Sequence, residues 1–217
     1  MSILPFSPEK KGPLNYLSVV PNKASSSKTL RPVLCFLHGY DEGPPTPIAD
    51  ALTRHGPLRS GNMMPVLAQY IIIAPQMPVR GDFWLDYADH VRQIVSDVCE
   101  RHAGDRQRLY LTGFSFGGNG VFDLSLHQSG QWAALWAVDP TRVPAYDPGC
   151  PVWLTVGAIV RPRKDDFIRA LDLIPYDTDA ERVIADEGAD HVGSAVLAYQ
   201  DERIYSWLLS KRSTHSS

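Results

Sequence analysis

The strongest local signal in this sequence is the stretch RLYLTGFSFGGNGVFDLSL, residues 108–126. It opens with an apolar run typical of a buried strand, and its second half is predicted to be a helix. Between the two, Gly113 and Gly117 stand two residues before and two residues after Ser115. Small residues at those places let a strand and a helix approach around a sharp turn that exposes the central side chain. The stretch therefore predicts a strand–turn–helix unit that presents a nucleophilic serine.

Strand-like and helix-like segments alternate on both sides of this unit. Continuous apolar runs bounded by turn residues predict further buried parallel strands at VLCFLH (33–38), QYIIIAP (69–75), AALWAV (133–138) and PVWLTVG (151–157). Apolar residues at helical spacing predict helices over 86–103 and 195–212, with a last strand near ERVIAD (181–186). This alternation indicates an α/β fold with a doubly wound, mostly parallel sheet. Ligands of such sheets bind at the carboxyl ends of the strands.

Length and composition are those of an ordinary globular domain. The chain has 217 residues, of which 44% are hydrophobic, and its formal net charge is -3. We expect a single domain over residues 1–217, with its core at about 14–212, a polar loop at 23–32 and a frayed tail in KRSTHSS (211–217). Because no lysine or arginine cluster is present to attract phosphates, we expect no nucleic-acid partner.

Cysteine usage and hydropathy indicate the compartment. The three cysteines, Cys35, Cys99 and Cys150, are scattered and odd in number, which favours a reducing environment over a disulfide framework. We find neither a signal-peptide pattern at the N-terminus nor an apolar run long enough to span a bilayer. We therefore expect a cytoplasmic protein without a membrane span.

Two other kinds of site are disfavoured by spacing. A dinucleotide site needs the pattern G-x-G-x-x-G, and the glycine-rich turn around Ser115 lacks its second glycine. Neither an H-E-x-x-H motif nor clustered cysteines and histidines provide metal ligands. We expect no cofactor and no metal.

A general base for the serine is predicted from chain order. His191 lies between the last predicted strand and the last predicted helix, downstream of the nucleophile, as this arrangement requires. The histidines at 90, 102 and 127 fall on predicted helices and the one at 215 falls in the tail, so each fits worse. We interpret His38, at the end of a predicted strand, as structural.

An oxyanion hole is predicted from two backbone amides. The segment His38-Gly39-Tyr40 follows the strand VLCFLH, and a loop there can aim an N–H group at a developing oxyanion. The residue after the nucleophile supplies the second donor. The predicted donors are therefore the amides of Tyr40 and Phe116.

Four segments together resemble the α/β-hydrolase superfamily: FLHGYDEG (36–43), IIIAPQMP (71–78), residues 108–126, and HVGSAVLAYQDERIYSWLLSKR (191–212). They look most like the branch of phospholipase/carboxylesterase and poly(3-hydroxybutyrate)-depolymerase-like esterases, and the resemblance covers about residues 14 to 212. It implies that Ser115 is the nucleophile, that His191 is the base, and that residues 38–40 form the oxyanion loop.

The acid of the triad departs from the resembled pattern, P-V-W-x-x-H-G-x-x-D. Here Val160 stands at the place of the acid after the strand PVWLTVG, and Val156 stands where the pattern has its histidine. The candidates that remain are Asp139, Asp165, Asp166 and Asp190. We predict Asp139, because it directly follows the strand AALWAV and so stands at the edge where ligands bind. Some thioesterases and lipases of the superfamily place their acid there.

The expected function is hydrolysis of a small-molecule carboxylic ester or thioester by Ser115, His191 and Asp139. Too few residues separate AALWAV from PVWLTVG for a helical cap domain, which predicts an open site. Apolar side chains expected in its pocket are Tyr40, Met77, Phe83 and Trp84. The alternatives are an acyltransferase that uses the same serine and histidine, or a non-catalytic small-molecule binding protein that has lost the acid.

Overall fold

One mixed sheet organises the chain in a computed structural model that describes residues 6–21, 29–62, 64–176 and 179–213. Its nine strands follow the order β1-β2-β4-β3-β5-β6-β7-β9-β8. The strands are β1 (Ser7–Lys11), β2 (Leu14–Val19), β3 (Arg31–Leu37), β4 (Ile71–Gln76), β5 (Gly104–Phe114), β6 (Ala134–Val138), β7 (Val152–Val156), β8 (Ile174–Pro175) and β9 (Arg182–Asp186).

The predicted doubly wound architecture is confirmed. From β4 to β8 all neighbouring strands pair in parallel, whereas β2 pairs antiparallel with both of its neighbours, β1 and β4. The helices are α1 (Ile48–Leu52), α2 (Ala88–His102), α3 (Phe116–His127), α4 (Lys164–Leu171), α5 (His191–Tyr199) and α6 (Glu202–Leu209). The carboxyl ends of β3, β5, β6 and β7 consequently meet at one edge of the sheet.

Apolar side chains on both faces of the sheet explain why the central strands are continuous apolar runs. Leu109 and Leu111 of β5 belong to a core cluster that includes the buried side of α2. Tyr110, between them, belongs to a second cluster with Trp136, Tyr205 and other aromatic residues. Because both faces are covered, successive side chains along a strand are all buried, and the alternation of a half-exposed strand is missing.

The last helix differs from the prediction. Residues 195–212 were expected to form one helix, but the chain forms α5 and α6 with a break at Gln200 and Asp201. The Asp201 carboxylate accepts a hydrogen bond from the Arg203 N–H at 2.9 Å and caps the start of α6. An aspartate competes with the helical backbone for its own N–H groups, so it starts a helix more readily than it continues one.

The expected frayed tail is partly wrong. The Lys211 carbonyl accepts from the Tyr110 hydroxyl at 3.0 Å, and the Ser213 N–H donates to the Gln107 carbonyl at 2.8 Å. These contacts fix residues 211–213 against β5. Residues 214–217 of the tail, and residues 23–28 of the predicted loop, lie outside the described part of the chain.

The segment between β6 and β7 carries no cap. Residues 139–151, all of them described, form turns and irregular backbone without a helix. The three cysteines are free thiols. Among the described residues, no helix combines the length and apolar character needed to cross a bilayer.

Candidate active site

The serine lies on a strained turn between β5 and α3. Ser115 has φ 56° and ψ −116°, a backbone conformation that residues other than glycine seldom adopt. Its N–H donates to the Val138 carbonyl at 2.9 Å, which ties the turn to the end of β6. A Cβ at Gly117 would overlap the Leu37 carbonyl oxygen, and a Cβ at Gly113 would overlap the Gly117 carbonyl. Both glycines are therefore needed for the close approach that exposes Ser115.

The imidazole of His191 joins the serine to a carboxylate. His191 is the first residue of α5, and its Nε2 lies 3.0 Å from Ser115 Oγ while its Nδ1 lies 2.6 Å from an Asp139 oxygen. In the tautomer that satisfies both contacts, Nδ1–H donates to Asp139 and the serine hydroxyl donates to Nε2. The Phe114 ring packs beside the imidazole with centroids 4.6 Å apart. The order of bonds is that of a serine–histidine–acid triad.

The Asp139 carboxylate is completely buried and well supplied with donors. Besides His191, it accepts from the backbone N–H groups of Gly157 at 2.9 Å, Val160 at 2.8 Å and Ile159 at 3.2 Å. A Cβ on Gly157 would overlap the carboxylate, so the loop can come this close only with glycine there. In the resembled pattern the acid lies on the loop after β7. Here that loop donates backbone N–H groups to Asp139, which follows the neighbouring strand β6.

The other acid candidates are not at the site. Asp165 and Asp166 are exposed in the first turn of α4, and Asp166 pairs with Arg169. Asp190 caps the start of α5, where its carboxylate accepts from the Gly193 N–H at 2.6 Å.

The two predicted oxyanion donors both begin a helical turn beside the serine. Tyr40 opens a 3-10 turn over Tyr40–Glu42, and Phe116 opens α3. The first N–H groups of such turns have no acceptor within the turn. A Cβ placed on Gly39 would be 3.7 Å from the Ser115 Cβ, so the loop that carries Tyr40 borders Ser115.

His38 supports this loop from beneath. It is fully buried, and its Nδ1–H donates to the Gly39 carbonyl at 2.7 Å while Nε2 accepts from the Met77 N–H at 3.0 Å. Burial lowers the pKa of His38 to about 4, which keeps the ring neutral at physiological pH. Its two hydrogen bonds are those of a structural residue, as interpreted from the sequence.

Solved structures of several kinds of hydrolase share this architecture at low sequence identity. A thermostable esterase superposes with a TM-score of 0.76 at 17% identity, over 97% of this chain and 64% of its own. The chain adopts the α/β-hydrolase fold. A fluorophosphonate-binding serine hydrolase of Staphylococcus aureus, with bound substrate, gives a TM-score of 0.69 at 15% identity over 94% of this chain and 97% of its own. An S-formylglutathione hydrolase of Agrobacterium tumefaciens gives 0.65 at 13% identity, with 94% of each chain covered.

Sequence comparison adds nothing to this structural likeness. No protein-family model and no curated protein sequence matches the chain. The chain spans 64% of the thermostable esterase. What these hydrolases act on therefore enters only as support for a proposal about this one.

The rim of the candidate site is aromatic. The Tyr40 ring is 53% exposed and meets the Phe116 ring edge-on, with centroids 5.6 Å apart. The Phe83 ring is 56% exposed and lies 5.7 Å from the same Phe116 ring. Three rings thus form a continuous apolar surface next to Ser115.

Two residues expected in the pocket are in the core instead. Met77 and Trp84 are completely buried, and the indole N–H of Trp84 donates to the His38 carbonyl at 3.1 Å. The prediction that they line the pocket is wrong, because their loop turns both side chains inward. Only Tyr40 and Phe83 of the predicted set face solvent.

Sequence reasoning missed two ionisable residues near the site, the buried Glu42 and the half-buried His55. The Glu42 carboxylate accepts from the Gly39 N–H at 2.6 Å, and the His55 ring packs against Phe114 with centroids 4.9 Å apart. A glutamate three residues after Gly39 has capping-box spacing, a signal that could have identified it. No comparable pattern marks His55.

Proposed function

We propose that this chain is a serine hydrolase that cleaves a carboxylic ester or thioester of a small molecule through an acyl-enzyme. The observation that carries the proposal is the continuous chain of hydrogen bonds from Ser115 through His191 to the buried Asp139, at 3.0 and 2.6 Å. Such a chain lets the imidazole accept the serine proton while the carboxylate holds the ring in the required tautomer.

The reaction would proceed in two displacements. Ser115 Oγ attacks the carbonyl carbon as its proton passes to His191 Nε2, and the oxyanion that forms is held by the amides of Tyr40 and Phe116. The tetrahedral intermediate then collapses, and the departing alcohol or thiol takes the proton from His191. Water repeats the sequence on the acyl-enzyme and releases the carboxylic acid.

The substrate class follows from the surroundings of the serine. No cap covers the site between β6 and β7, and the exposed rings of Tyr40 and Phe83, with the half-buried ring of Phe116, offer an apolar surface to an acyl or alcohol group. We infer a small or medium acyl chain. The esterases and the S-formylglutathione hydrolase that share the fold are compatible with both leaving groups.

A non-catalytic binding protein is the less favoured alternative. This alternative was based on Val160, which stands where the resembled pattern has its acid. Because Asp139 bonds to His191 and receives three backbone N–H groups, that basis disappears. An acyltransferase would use the same serine and histidine, and no feature of the described site favours it over hydrolysis.

The test combines covalent labelling with turnover. A fluorophosphonate probe should label Ser115, and p-nitrophenyl esters and acyl thioesters of graded chain length should be hydrolysed. Ser115→Ala should lower kcat by a factor on the order of 10⁶. Ser129→Ala, which removes an exposed hydroxyl just beyond α3, is the matched control and should keep full activity. Retention of more than a tenth of the activity in Ser115→Ala would sink the mechanism.

A further inference from the structure

A buried carboxylate that the triad does not use lies behind the oxyanion loop. Glu42 is only 3% exposed, and one of its oxygens accepts from the Gly39 N–H at 2.6 Å. The other oxygen accepts no hydrogen bond from any described residue; the Nε2 of His55 lies 3.7 Å away, too far for one. A carboxyl group pays a large desolvation cost at such a place, so its presence calls for a physical reason.

The bond from Gly39 to Glu42 is one of several that hold this loop. The side-chain amide of Gln76 donates to the Glu42 carbonyl at 2.9 Å and to the Thr46 carbonyl at 3.0 Å. The Gly39 carbonyl accepts from His38 Nδ1–H at 2.7 Å. The N–H and the C=O of Gly39 are therefore both held, one by Glu42 and the other by His38.

Holding Gly39 determines the direction of the next amide. The Gly39 carbonyl and the Tyr40 N–H belong to one planar peptide group and point in opposite directions. With the carbonyl directed at His38 and the Gly39 N–H directed at Glu42, the Tyr40 N–H has one remaining orientation. Gly39 itself is close to Ser115, so a rotation of this peptide would move the donor relative to the reacting carbonyl.

We propose that Glu42 is a positioning residue of the oxyanion hole, whose carboxyl group holds the Gly39 N–H so that the Tyr40 N–H points at the developing oxyanion. The inference rests on the proposed hydrolase function. Glu42 touches neither the substrate nor the reacting atoms, and its effect is exerted through the backbone. A purely structural Glu42 would affect stability and leave the catalytic constants of folded enzyme unchanged.

Two substitutions separate geometry from charge. Glu42→Gln keeps an oxygen at the distance of Gly39 and places an amide N–H where it can donate to His55, so kcat should stay within about threefold of wild type. Glu42→Asp keeps a carboxyl group but withdraws it by one methylene, which releases the Gly39 N–H. Since loss of one oxyanion donor costs about 10²–10³ in kcat, misdirecting one should cost about 10- to 100-fold. KM should change less than about twofold, because the oxyanion forms only in the transition state.

The experiment measures kcat and KM on p-nitrophenyl acetate, Ser115 labelling, and amide hydrogen exchange of Gly39 by NMR. Asp50→Asn, which removes an exposed carboxylate from α1, is the control for charge and should match wild type. Faster Gly39 exchange and lower kcat in Glu42→Asp, with both preserved in Glu42→Gln, support the proposal. Wild-type kcat in Glu42→Asp, or a kcat loss above tenfold in Glu42→Gln, overturns it.

The hydrolase proposal fails separately. A wild type that neither labels nor turns over any ester would refute that function. Equal Gly39 exchange in the two variants would refute the proposed role of Glu42 in holding the Gly39 N–H, whether or not wild type is active. If Glu42→Asp does not fold, the kcat of Glu42→Gln still decides the matter by the same tenfold limit.

Discussion

At the residue scale, the carboxylate that bonds to His191 follows β6, while the amides that bond to this carboxylate come from the loop after β7. β6 and β7 are neighbours in the sheet, so their carboxyl ends both face His191. Asp139 occupies the end of β6, with its backbone in the positive-φ region at 41°, and the loop after β7 is turned into a set of amide donors. The place of Asp139 directly after a predicted strand, together with the resemblance to superfamily members that carry their acid there, indicated this residue, whereas its three amide donors could not be inferred because they depend on the path of a neighbouring loop.

Asp139→Asn should lower kcat by up to about 10⁴, because an amide can stabilise the wrong imidazole tautomer and cannot stabilise the imidazolium. The side chain keeps its volume, so far-UV circular dichroism should match wild type. Asp165→Asn is the control, since that carboxylate is exposed on α4 and should be neutral for turnover. Near-normal kcat in Asp139→Asn, together with loss in Asp165→Asn, would place the acid on the other loop.

At the element scale, continuous apolar runs were enough to predict β3, β4, β5, β6 and β7, since strands covered on both faces are mostly apolar. The same reasoning failed where one side chain overrides a periodic pattern. The predicted helix over residues 195–212 is interrupted at Asp201, whose carboxylate caps the start of α6. Met77 and Trp84 share a loop with the exposed Phe83, and only the path of that loop decides which side chains turn inward.

Gly157→Ala tests the contact between the loop after β7 and the end of β6. The new Cβ would overlap the Asp139 carboxylate and lie 2.6 Å from Ser194 Oγ, so the loop must withdraw and take amide donors with it. Because displacement of a catalytic group by about 1 Å can cost about 10²-fold, we expect kcat to fall 10- to 100-fold. Gly61→Ala is the control, as its Cβ would approach the flexible ends of the Arg59 and Gln200 side chains. Unchanged kcat in Gly157→Ala would show that the loop does not position Asp139.

At the scale of the whole molecule, the sheet edge that carries Ser115, His191 and Asp139 also carries two ionisable residues with shifted pKa values, Glu42 and His55. Burial raises the pKa of Glu42 to about 7, against the lowering effect of the Gly39 N–H. Burial, and after it the charges of Arg54 and Arg59, lower the pKa of His55 to about 4. Both shifts favour the neutral form of the group in the folded chain. The stability of the fold is therefore coupled to pH through this edge.

The Glu42 carboxyl provides a measurable form of that coupling. The folded protein holds its proton up to about pH 7, whereas the unfolded chain releases it near the ordinary value of 4.5. Between these two values the folded state binds more protons, so the contribution of Glu42 to the free energy of unfolding falls as pH rises. Glu42→Gln removes this titration. The free energy of unfolding of Glu42→Gln minus that of wild type, from urea denaturation, should therefore increase from pH 4.5 to 7 and stay constant above. Asp50→Asn should show no such rise, and a difference independent of pH would mean that Glu42 titrates normally in the folded protein.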